Sequence, residues 1–186
     1  MWSHLTEEQR QAWDAAGKQN RSRSRLGQSG PLTGQNLFTE INANQALIGE
    51  KPFLYPPERP NFGPNPVVGL AISDDRGRIR LKLILPKAPA AHILVYGAAP
   101  CNAGRRFCEK FSFLGLLPNP VTGESDITRL YLKKHGVPKA GSRIIIRTRQ
   151  QVNGWRDLPK RTDAIVPSGP PPAAEPKRRR ATVAGA

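Results

Sequence analysis

The run Gly141–Val166, GSRIIIRTRQQVNGWRDLPKRTDAIV, constrains the fold more than any other part of the chain. Arg143 to Arg149 is rich in β-branched residues, which lose rotamer freedom in a helix and pack well on a pleated sheet. Asn153-Gly154 follows, a pair that accepts the positive φ angles of a tight turn. Thr162 to Val166 is a second extended run. The pattern predicts two antiparallel strands closing a β-domain. Side chains alternate along a strand, so Ile144, Ile146 and Thr148 are expected on one face, and Arg143, Ile145, Arg147 and Arg149 on the other.

The same reading extends upstream. Val67–Ile72 predicts a strand and Ser73–Gly77 a turn. Arg78–Leu85 alternates, with Ile79, Leu81, Leu83 and Leu85 on one side and Arg78, Arg80 and Lys82 on the other, as a half-buried antiparallel strand requires. Pro86 to Pro89 breaks it, His92–Tyr96 resumes, Pro100–Gly104 loops, and Phe107–Leu117 reads as a further strand. Ser125–Gly136 predicts a helix capped by Ser125, with Asp126 in the first turn, Lys133 and Lys134 in the last, and Gly136 ending it. A strand over Ile127–Leu132 is the alternative there.

Four regions emerge. Residues 1–50 form a helical arm with a basic linker. Its first helix, over residues 3–16, has Thr6 and Gln9 spaced as a capping box and Gly17 as its stop. Lys18–Arg25, KQNRSRSR, is a solvated linker, with a phosphate-binding arm as the alternative. The second helix is Thr33–Ile48, capped by Thr33 and ended by Gly49. Residues 51–66 carry six prolines and form an extended connector. Phe53, Leu54, Tyr55 and Phe62 are its candidates for strapping onto a neighbouring surface. Residues 67–166 form the β-domain. Residues 167–186, Pro/Ala-rich around Lys177–Arg180, read as a disordered basic tail.

The strands from Val67 to Val166, with turns every 8–12 residues, predict an antiparallel β-sandwich preceded by a short helical hairpin. The first hairpin, the His92–Tyr96 strand after a Pro-rich turn, and the final Arg143–Arg149 strand followed by Trp155 and Thr162–Val166 resemble a fibronectin type III or immunoglobulin-like module. That resemblance implies adhesion, spacing or assembly rather than chemistry. The stretch Trp2–Trp13 resembles the start of the last helix of an HMG box. The two helices that precede it in that fold have no counterpart before Met1, so the likeness is assigned to shared helix-start chemistry.

Charge narrows the partners. The net charge is +15, and residues 66–166 carry 18 basic and 7 acidic side chains, so most of the excess lies on the β-domain. Such a field favours polyanions or acidic surfaces. No G-x-S-x-G, P-loop or dinucleotide fingerprint occurs, so no enzyme and no cofactor is expected. Cys101, Cys108, His4, His92 and His135 lack metal-ligand spacing, and the two cysteines read as ordinary thiols, with a disulfide across their loop as the alternative. No stretch is long and apolar enough for a membrane span or a secretory signal, which sets the cytoplasm, or a particle assembled there, as the expected location.

Two functions follow as expectations. The first is a structural or assembly protein of a phage-like or bacterial particle, binding other protein subunits, its own copies or others. The second is a DNA- or RNA-binding protein whose contacts come from Arg105, Arg106, Arg143, Arg147, Arg149 and the run Lys177, Arg178, Arg179 and Arg180. Aromatics are 6% of the chain and lie mostly in apolar runs, which weighs against base stacking.

Overall fold

A computed structural model describes residues 1–21, 30–75, 78–118 and 120–168. The turn residues Arg76 and Gly77, the linker residues Arg23 and Arg25, the run Lys177–Arg180 and most of the predicted disordered tail lie outside them. The described chain is mainly β with N-terminal helices, in the order α1 (Glu7–Lys18), α2 (Gly34–Leu47), β1 (Gly69–Asp75), β2 (Arg78–Leu85), β3 (His92–Gly97), β4 (Cys101–Asn102), β5 (Ser112–Leu116), β6 (Gly123–Asp126), α3 (Thr128–His135), β7 (Ser142–Val152), β8 (Trp155–Arg156) and β9 (Lys160–Ile165). Among these residues no helix is long and apolar enough to cross a membrane.

The strands form two antiparallel sheets. One runs β1-β2-β6. The other is built on β7, which pairs with β3 and β4 on one edge and with β8 and β9 on the other, while β5 pairs with β3. The alternation expected in β2 holds: Leu81, Leu83 and Leu85 are fully buried. They share one core with Ile93 and Val95 of β3 and with Ile144 and Ile146 of β7. The Asn153-Gly154 turn also follows expectation. Both residues have positive φ (47° and 79°), and Val152 stands opposite Trp155 across a two-residue hairpin.

Four local expectations need correction. The β1 ladder continues through Ser73 to Asp75, because Ser73 and Asp75 stand opposite Arg80 and Arg78 in unbroken register. The strand predicted from Phe107 is only Ser112–Leu116. The register shifts by a bulge between Val95 and Tyr96, where Gly115 takes a φ of +144°, and the ladder ends at Gly97 opposite Ser112, because the partner strand β3 stops there. Ser125 does not cap α3. It belongs to β6, where its Oγ donates to the Pro118 carbonyl at 2.7 Å, and Asp126 Oδ1 instead accepts the Thr128 N–H at 2.7 Å. Gly17 does not stop α1. It is buried, and an added Cβ there would lie 2.6 Å from the Leu32 carbonyl oxygen, so glycine allows the chain leading into α2 to approach closely.

The arm has its own small core. Thr6 and Gln9 form the expected capping box. Leu5, Trp13, Leu37, Phe38 and Ile41 are buried together, with Trp13 edge-on to Phe38 at 5.3 Å between ring centroids. The connector fastens onto this core mainly through backbone groups. Trp13 Nε1 donates to the Leu54 carbonyl at 2.9 Å, and the Asn42 side chain bonds both the Phe53 N–H (2.7 Å) and its carbonyl (3.2 Å). Phe53 and Phe62 are half-buried, whereas Leu54 and Tyr55 stay exposed.

Candidate nucleic-acid interface

The arm docks on the end of β7. Gln151, fully buried, donates from Nε2 to the Asn44 carbonyl and to Gln45 Oε1, both at 3.1 Å. Asn44 Nδ2 donates to the Gly154 carbonyl at 2.7 Å. Trp155 Nε1 reaches the Pro57 carbonyl of the connector at 3.1 Å. A buried polar group left unpaired costs about 1–3 kcal/mol, so these reciprocal bonds hold α2, the connector and the hairpin in one relative position. Side-chain parity places Gln151 on the β7 face that also carries Arg147 and Arg149.

That docking creates a groove of three adjoining pockets. The first, ≈ 400 Å³, is lined by Arg21, Glu40, Arg59, Arg149, Trp155 and Arg156 among others. The second, ≈ 240 Å³, is lined by Tyr96, Glu109, Phe111, Arg147, Arg149 and Arg156. The third, ≈ 400 Å³, runs along Arg59, Phe62–Asn65 and Arg156–Leu158. Arg156 belongs to all three, Arg149 to two and Arg59 to two. Five arginines from the arm, the connector, β7 and β8 therefore meet along one depression, against Glu40, Glu109 and Asp157.

The arginines are held in place by aromatic rings. The Arg147 guanidinium lies 3.9 Å from the centroid of Phe111, and that of Arg59 lies 5.5 Å from the Trp155 ring. A guanidinium on an aromatic face gains cation–π attraction and loses less freedom when it binds a ligand. Arg156 Nη2 donates to Glu40 Oε1 at 3.1 Å, whereas its Nε–H is buried without an acceptor among the described residues. Both nitrogens belong to the guanidinium edge that can grip two oxygens at once.

The candidate residues expected from sequence separate into groups. Arg147 and Arg149 join the groove. Arg143 is engaged elsewhere: its Nε donates to the Ala103 carbonyl at 2.7 Å and its Nη1 pairs with Asp163. Arg105 and Arg106 are exposed on the loop after β4, where Arg105 Nε donates to the Phe107 carbonyl at 3.0 Å. Lys177, Arg178, Arg179 and Arg180 lie outside the described residues. Ile145, on the arginine side of β7, is fully buried, so only part of that face is open. Arg21 belongs to the Lys18–Arg25 run, read as a linker or a phosphate-binding arm, whereas sequence reading did not single out Arg59, Arg156 or Glu40. The adjacent Trp155-Arg156 and Lys110-Phe111 pairs were local hints of an aromatic-basic site. Cys101 and Cys108 are free thiols, and among the described residues no three His, Cys, Asp or Glu side chains gather as metal ligands would.

Asp157 lines the third pocket. Its Oδ1 accepts the Gln150 N–H at 2.7 Å, and its Oδ2 accepts Gln150 Nε2 at 3.2 Å and Asn65 Nδ2 at 3.3 Å. Burial raises its pKa above the ordinary carboxylate range, while these hydrogen bonds and Arg149 pull the other way and only partly offset it. A raised folded-state value means that the native protein binds this proton more tightly than the unfolded chain does. The stability linked to that proton is complete below the ordinary aspartate value and is lost as pH rises through the folded value. Asp157→Asn should remove this dependence. In urea unfolding across mildly acidic pH, the wild type should therefore gain stability relative to the variant as pH falls. A gap that stays constant or reverses would show that the proton is not held there.

No family model matches this chain, and neither a curated protein nor a solved structure matches it.

Proposed function

We propose that this protein is a non-enzymatic nucleic-acid-binding protein that takes the polyanion along the groove between the helical arm and the outer face of β7. One observation carries the reading: Arg21, Arg59, Arg147, Arg149 and Arg156 converge on adjoining pockets together with Tyr96, Phe111 and Trp155. Cations interleaved with rings suit a phosphate backbone with bases. This weighs more than the low aromatic content, because the few rings stand beside the arginines. The net charge of +15 supplies the long-range attraction. The assembly reading, first in order from the sequence, rests on the likeness to fibronectin type III and immunoglobulin-like sandwiches. Two antiparallel sheets around one core support that likeness, and a module of this kind can serve binding as well as spacing.

The double variant Arg59→Gln with Arg147→Gln tests the reading, because neither side chain forms an ion pair among the described residues. Binding of a random oligonucleotide at low salt should weaken by about tenfold or more, and the log–log salt slope should shrink by about 0.7 per lost contact on a single strand. If the wild type binds no oligonucleotide at low salt, the reading fails and assembly becomes the better one. Equal binding by wild type and variant would place the site elsewhere, with the Lys177–Arg180 run as the next candidate.

A further inference from the structure

We infer that the groove selects single-stranded nucleic acid and that Glu40 occupies the place of a backbone phosphate on Arg156 until the strand arrives. This rests on the nucleic-acid reading above and specifies its substrate class and its control.

The strand preference follows from shape and from what the pockets offer. The arm and the connector wall the groove, and its pockets of 240–400 Å³ are nucleotide-sized. Duplex DNA has a persistence length of about 150 bp and keeps its bases paired inside, so it cannot follow such a path or use such pockets. A single strand bends at each linkage and exposes its bases. Arg147, laid over Phe111, offers its guanidinium plane as a stacking platform, a mode that unpaired bases use and paired bases cannot.

The role of Glu40 follows from the Arg156 geometry. Glu40 comes from α2 on the arm wall and engages Arg156 through Nη2 alone. The neighbouring Nε–H on the same edge is buried and has no acceptor among the described residues. A phosphate presents two oxygens to both groups, which is the stronger bidentate pairing. The Glu40 side chain is 51% exposed and can swing aside into water. Glu40 thus keeps Arg156 oriented and neutralised in the free protein, and competes with the incoming phosphate. No bond is made or broken covalently, and the exchange is one of ion-pair partners.

The test uses the full chain and four labelled probes of one random twelve-nucleotide sequence: single-stranded DNA, single-stranded RNA, and the duplex of each. Affinities are measured at a single moderate salt concentration for the wild type, Glu40→Gln, Glu109→Gln and Glu40→Gln with Arg156→Lys. Glu109 lines the same groove and forms no ion pair among the described residues, so Glu109→Gln controls for the simple loss of a negative charge. The wild type should bind at least one single strand about tenfold tighter than the duplexes, the two single-stranded arms showing which sugar it accepts. Glu40→Gln should tighten single-strand binding about threefold to tenfold, clearly more than Glu109→Gln. The added Arg156→Lys should abolish that gain, because lysine lacks the two-donor edge. Glutamine can still accept from Arg156, and circular dichroism melts verify that each variant is folded. Equal affinity for duplex overturns the strand inference while the nucleic-acid reading stands. A Glu40→Gln gain no larger than that of Glu109→Gln overturns the role of Glu40. Absence of binding to all four probes overturns the underlying reading itself.

Discussion

Gly154→Ala should destabilise the protein by about 2–4 kcal/mol, although it adds a single methyl group on a hairpin turn. Two effects combine. Gly154 has a φ of 79°, where a side chain is strained. Its added Cβ would also lie 2.5 Å from the Ile41 carbonyl oxygen and 2.6 Å from Ile41 Cγ2. The nearest obstacle is helix backbone, so α2 must move away. That movement would break the Asn44 bond to the Gly154 carbonyl and disturb the Gln151 bonds beside it. For a chain of this size the melting temperature should fall by roughly 5–15 °C. Oligonucleotide affinity should fall with it, because the arm wall of the groove shifts. A change below about 2 °C would mean that α2 does not rest on the turn.

Trp13→Ala is the second large effect. Trp13 is fully buried at the centre of the arm core, packs against Phe38 and binds the Leu54 carbonyl through Nε1. Removing a buried tryptophan costs about 3–5 kcal/mol, and a core of so few residues has little else to close the cavity. The expected result is loss of the arm structure with much of the β-core retained, since Leu81, Leu83, Ile144 and Ile146 pack in a separate cluster. Chemical denaturation followed by hydrogen exchange would resolve this as early exchange in α1 and α2 while β2 and β7 stay protected. Trp13→Phe should cost less, because it keeps an aromatic ring against Phe38 and loses the hydrogen bond and only part of the buried volume. A fully cooperative loss, with β7 exchanging together with α1, would show instead that the seam at Gln151 binds the two cores into one unit.

Much of the local structure could be read from the sequence. The Thr6–Gln9 capping box, Thr33 as a cap, the alternation of β2 and the Asn153-Gly154 turn all rest on interactions between residues a few positions apart. Those leave a visible spacing. Errors arose where a distant partner decided the outcome. Ser125 looks like a helix cap in isolation, but pairing of β6 with β2 holds it in a strand. Gly17 looks like a helix stop, but the chain before α2 needs its missing Cβ. Arg143 looks like a free cation of the arginine face, but Asp163 on the adjacent strand β9 engages it.

The basic groove shows the same division. Composition and alternation were enough to establish a strongly basic β-domain with arginines on one face of its longest strand, because net charge is additive and strand parity is local. Which arginines act together was decided by tertiary structure alone. Arg149 and Arg156 are joined by the local β7–β8 hairpin, but Arg21 and Arg59 are distant in sequence and reach them only because Gln151, Asn44 and Gly154 lock the arm over the end of β7. Those contacts are single hydrogen bonds between polar side chains and backbone. They have no period and no motif, so their result, a walled groove with Glu40 set against Arg156, exists only once the chain has folded.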